Sequence, residues 1–133
     1  MKISVWTTDG PVKVSTLVVI GRFAIHGSVG KWGKSTTMKA DIRHGYTVTH
    51  IASGWSVRSG IAGQKCACEL ARAADAVKEW DLLDPAKIKP LKNSRYCTKR
   101  SIPKALNQKM SAVILKWMLS KCKHTTAKRK VKP

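Results

Sequence analysis

The sequence predicts an α+β fold: a small antiparallel sheet of four to five strands backed by one helix, followed by a basic connector and a C-terminal helix. Three observations lead there. Residues 2–58 alternate apolar and polar side chains in short runs separated by glycine-containing turns, the period of half-buried strands. Residues 62–82 change to apolar spacings of three and four, the period of a helix lying on a core. All seven acids lie at or before Asp84, so residues 85–133 combine 15 Lys+Arg with no acid.

Lys2 to Thr7 alternates and reads as a strand, and Asp9-Gly10-Pro11 reads as a turn. Val12 to Ile20 is rich in Val, Ile and Thr and suits a second strand, with Gly21 a bend. Phe23 and Ile25 then face one way, and Arg22, Ala24 and His26 the other. Residues 27–35 hold three glycines and no apolar period, which predicts a loop. Alternation returns from Thr37 to Arg43. Tyr46–Ile51 and Trp55–Arg58 flank Ala52-Ser53-Gly54, a hairpin with Tyr46, Val48, Trp55 and Val57 toward the core and Thr47, Thr49, Ser56 and Arg58 outward.

Cys66, Leu70, Ala73, Val77 and Trp80 form one apolar stripe on a helix from 62 to 82, ended by Asp84-Pro85. A second helix, 102–123, is expected to start at Ser101 as N-cap with Pro103 in its first turn. Leu106, Met110, Val113 and Trp117 are its stripe, widened by Ile114 and Met118. Leu115 and Leu119 fall outside it. Burial in a small core accounts for most of this surface; a homodimer through helix 102–123 is the alternative. The chain thus divides into a sheet-plus-helix unit at 1–84, a connector and helix at 85–124, and a basic tail at 125–133.

The 133 residues leave no room for a multidomain enzyme, and a hydrophobic content of 43% excludes a wholly disordered chain. No apolar run approaches the ~20 residues of a membrane span. No secretory leader pattern opens the chain, so a cytoplasmic protein with reduced Cys66, Cys68, Cys97 and Cys122 is expected. The net charge of +19 is divided unevenly: 11 Lys+Arg against 7 acids in residues 1–84 gives +4, and residues 85–133 supply +15. That asymmetry is the pattern of a nucleic-acid binder with a basic arm.

Gly33-Lys34-Ser35 fails as a phosphate-binding nucleotide loop, because the glycine required five positions earlier is Ser28 and the following stretch reads as strand. Zinc is disfavoured, since Cys66-Ala67-Cys68 and Cys122-Lys123-His124 lack chelating spacing. His26, His44, His50 and His124 could serve a ribonuclease, but no acid/base constellation is fixed by their spacing, and His50 falls on the core side. No catalytic residue, metal ligand or cofactor is therefore assigned.

The expected function is non-catalytic nucleic-acid binding, DNA or RNA, with the composition of a small protein from a phage, plasmid or other mobile element. Lys31 and Lys34 flank Trp32 in the glycine-rich loop, where cations meet phosphate and an indole stacks on a base. Arg43 and Arg58 lie on the outer sheet face. Arg95, Lys99 and Arg100 are in the connector, Lys116 and Lys123 on the second helix, and Lys128, Arg129 and Lys130 in the tail. A sheet with one helix-covered and one basic face resembles, in element order alone, AP2-type DNA-binding domains and Whirly-like single-strand binders. The alternatives are an inhibitor docking on a host nucleic-acid machine such as a CRISPR effector complex (anti-CRISPR-like), a ribonuclease toxin, and a ribosome-associated protein.

Overall fold

A computed structural model of the chain describes residues 1–7, 9–83 and 103–120. The α+β class holds. Two antiparallel sheets carry the strands β1 (Lys2–Thr7), β2 (Gly10–Ser15), β3 (Val18–Ile20), β4 (Phe23–Gly30), β5 (Lys39–His50) and β6 (Ser56–Ile61). β1 and β2 form a two-stranded hairpin, and β3-β4-β5-β6 a four-stranded meander. Helices α1 (Gln64–Asp75) and α2 (Lys104–Met118) follow, with a short 3-10 turn at Lys78–Leu82.

The stretch expected as one strand from Val12 to Ile20 is two. The Thr16 N–H still donates to Met1 O, but the Leu17 N–H donates to Ile25 O, so the chain changes sheets between them. β4 is longer than expected and runs through Gly27–Gly30, leaving a shorter loop before β5. The two stretches expected on either side of His44 are one strand, interrupted by a bulge.

One face of the meander packs on the helices. Phe23, Ile25, Val48 and Ile61 meet Ala67, Leu70, Ala71 and Ala74 of α1, and Leu106, Met110 and Trp117 of α2. The Trp117 indole N–H donates to Cys66 O, tying α2 to α1. The α1 stripe is rotated from the expected one, with Ala73 exposed and Ala67, Ala71 and Ala74 buried. α1 also stops at Asp75 rather than running to 82. There Arg22 reaches its C-terminal end: the guanidinium donates to Asp75 O at 2.8 Å and Val77 O at 3.3 Å, while the Asp75 carboxylate accepts from the Arg22 backbone N–H and Nε. A cation on the last carbonyls satisfies acceptors that a continuing helix would otherwise use. Ser101 lies outside the described residues, and α2 begins at Lys104 with Pro103 just before it.

The other face was expected to point outward as a polar, basic surface open to nucleic acid, and this is corrected. Ile3, Val5 and Val14 of the β1–β2 hairpin pack on Ala24, and the Trp6 N–H donates to Gly54 O, so the hairpin covers much of that face. His26, Thr47 and Thr49 are buried beneath this layer. Their polar atoms find one another: His26 Nε2 pairs with Thr49 Oγ1, which meets Ser56 Oγ, and Thr47 Oγ1 pairs with Ser28 Oγ. A buried polar layer is tolerable because its groups are hydrogen-bonded. Cys68 is a free thiol and Cys66 is disulfide-bonded, which departs from the expectation of four reduced thiols.

Candidate nucleic-acid interface

The site grows from an irregularity in β5. Gly27 pairs with Tyr46 and the next residue, Ser28, pairs with Asp41, so residues 42–45 bulge out of the ladder. Two features make room for this bulge. Gly27 lies directly under it, and a Cβ there would sit 2.8 Å from Asp41 and Ile42 backbone atoms. Gly45 closes it at φ +98°, back to back with Gly60. The Ser28 hydroxyl braces the base by accepting the Gly60 N–H at 3.0 Å. Extra residues in one strand turn its side chains outward, a recurring device at binding sites.

Ile42, Arg43 and His44 are exposed on the bulge. Asp41 organises it, accepting the Arg43 backbone N–H at 2.9 Å and the guanidinium at 2.9 Å. These hydrogen bonds hold the Asp41 carboxyl at about 2. Trp32, from the β4–β5 loop, folds back onto the bulge. Its Nε1 donates to Ser28 O at 3.0 Å, and its ring stacks on His44 with centroids 3.9 Å apart and planes 8° from parallel. A Cβ on Gly30 would sit 2.6 Å from the indole, so Trp32 also lies against Gly30.

The predicted cations are placed unevenly. Lys31 is ion-paired with Asp9 at 3.1 Å and Arg43 with Asp41 at 2.9 Å. Lys34 is exposed in the same loop as Trp32 and makes no ion pair among the described residues. Arg58 is half-buried on β6, opposite Val48 in the register. Lys116 is exposed on α2, as are Lys104 and Lys109, and that helix has no acid. Arg95, Lys99, Arg100, Lys123, Lys128, Arg129 and Lys130 lie outside the described residues. Arg22, expected on the outer face, instead binds Asp75 and Asp81. His44 was missed as a site residue. Its signal was the His44-Gly45 step between two alternating stretches.

Of the histidines considered for acid/base work, His26 is buried with both ring nitrogens engaged, Nδ1 with Gly27 O and Nε2 with Thr49 Oγ1. His50 is 3% exposed, pairs with Ser53 Oγ and stacks on Trp80. Burial lowers both, and Arg22 adds repulsion that helps bring His50 to about 4. The fold therefore favours neutral imidazoles. As pH falls from about 6.5 toward 4, the unfolded chain takes up protons that the native chain refuses, and stability is lost. Denaturant titration should show a slope approaching ~1.4 kcal/mol per pH unit from His50 in this window. His50→Gln should flatten it; equal stability at pH 5 and pH 7 would contradict the burial argument.

Among the described residues, no three His, Cys, Asp or Glu side chains gather where one metal ion could be held. None of the helices there is long and apolar enough to cross a membrane. Compared with protein-family models, curated proteins and solved structures, the chain matches none.

Proposed function

We propose that this chain is a non-catalytic nucleic-acid-binding protein that grips the phosphate backbone through its basic C-terminal segment, residues 85–133. The observation that carries this reading is the 49-residue stretch 85–133 with 15 Lys+Arg and no acid. The placement of acids in the folded unit supports it. Asp9, Asp41, Asp75 and Asp81 are each paired with a cation of that unit, whereas Lys104, Lys109 and Lys116 of α2 are exposed and unpaired among the described residues. Surplus positive charge on one part of a chain recruits a polyanion by releasing its condensed counterions.

The experiment is a truncation after His124, which removes Lys128, Arg129, Lys130 and Lys132. Affinity for random-sequence oligonucleotides should fall. The slope of log affinity against log salt should become shallower by up to about 3.6, at ~0.9 per lost phosphate contact on duplex DNA. Thermal melting should not move. Unchanged affinity would count against the tail as a contact.

A second reading has its own observation. Leu115 of α2 and Leu119 at its C-cap are 58% and 73% exposed on a lysine-bearing helix. Apolar side chains among cations suit docking on an acidic protein surface, as an inhibitor of a nucleic-acid machine would require. A pull-down from lysate with and without nuclease separates the two: capture that survives nuclease favours the protein partner.

A further inference from the structure

We propose that the Trp32–His44 pair is a base-stacking site for single-stranded nucleic acid, in which an unpaired base stacks on His44 and lengthens the existing stack. This rests on the nucleic-acid reading and adds to it the strand class and the residue that meets the base.

The sequence alone points to Trp32 as the stacking surface. The geometry transfers that role. The indole lies close against Gly30, its ring is stacked with that of His44, and Nε1 is committed to Ser28 O. Trp32 thus acts as a fixed floor. His44 lies on that floor at 3.9 Å and nearly parallel, yet remains exposed. With one face of its ring on the indole, the accessible aromatic surface is the other face. A flat ring already held in a stack loses little freedom when a further ring is added, which is the advantage of preorganisation.

The setting suits an unpaired nucleotide. The bulge lifts His44 out of the ladder, and the Asp41–Arg43 hydrogen bonds and Gly45 hold it there. Lys34 stands two residues after Trp32 without an ion pair among the described residues, and Arg43 adjoins His44. Arg43 is paired to Asp41 and contributes little net charge, so Lys34 is the phosphate contact this site offers. Bases in a duplex already stack on their neighbours, so the site selects unpaired ones. Every base has a π-face, so it selects no sequence.

The test compares the full chain's affinity for an oligothymidylate and for an abasic oligonucleotide of equal length. The wild type should prefer the base-bearing strand by about five- to hundredfold, the range of a single aromatic stack. His44→Ala should bring both probes to the abasic level, and His44→Phe should restore the preference. A purely structural role for the pair predicts otherwise: His44→Ala would lower the melting temperature and leave the ratio of affinities unchanged, which would overturn the proposal. Equal wild-type affinity for both probes would also overturn it, while leaving phosphate binding intact. Binding to neither probe would defeat the nucleic-acid reading together with it.

Discussion

Gly45→Ala should destabilise the protein by about 2–4 kcal/mol, the sum of backbone strain and a collision that cannot be relieved locally. Gly45 sits at φ +98°, a conformation that side-chain-bearing residues rarely adopt, and its Cβ would fall 2.7 Å from the Gly60 Cα and carbonyl carbon. Those are backbone atoms of β6, so relief requires β5 and β6 to part next to their Tyr46–Ile61 pair. Two other glycines separate the contributions. Gly33 has φ +61° and open space around its Cβ position, so Gly33→Ala should cost only the conformational ~1–2 kcal/mol. Gly27 has no left-handed backbone but faces Asp41 and Ile42 backbone atoms at 2.8 Å, so Gly27→Ala isolates the steric part. Urea unfolding of the three variants measures this directly. A Gly45→Ala loss no larger than that of Gly33→Ala would mean that the bulge relaxes freely and is not the rigid mount described for His44.

Much of the framework was legible because it depends on local period. β1 matches its alternating run, the 46–58 hairpin turns where Ser53-Gly54 suggests, and Tyr46, Val48, Trp55 and Val57 all join the helix-side core. Trp80 and Trp117 are buried, as their stripes required. What could not be read was which layer covers which face. Parity puts His26, Thr47 and Thr49 on the side away from the helices but does not reveal that the β1–β2 hairpin folds over it. Small hydroxyl side chains look solvated in a sequence, yet here they satisfy one another in a buried layer.

The candidate site was half legible for a related reason. Trp32 is legible because Lys31 and Lys34 flank it in a glycine-rich loop. Its partner His44 is brought to it by a register irregularity that no periodicity encodes. The end of α1 is another such case. It depends on Arg22, 53 residues away in sequence, reaching Asp75. The stripe to Trp80 continued past that point because the 3-10 turn keeps Val77 and Trp80 on the core side.

Raising salt from 50 to 200 mM should weaken nucleic-acid binding by about a thousandfold or more, the largest effect expected of this protein. The reasoning is a matter of charge number. Residues 85–133 carry 15 Lys+Arg with no internal acid to neutralise them, so contact of about half with phosphate gives some seven released counterions. The folded unit at +4 should add little, because Lys31, Arg43 and Arg22 are already committed to acids. The most direct measurement is therefore the affinity of the full chain for a random-sequence duplex across that salt range. A straight line of log affinity against log salt with a slope near −6 is the predicted result. A slope shallower than about −1.5 would mean that no more than one or two phosphates are engaged, and would contradict the proposal that residues 85–133 are a phosphate-binding arm.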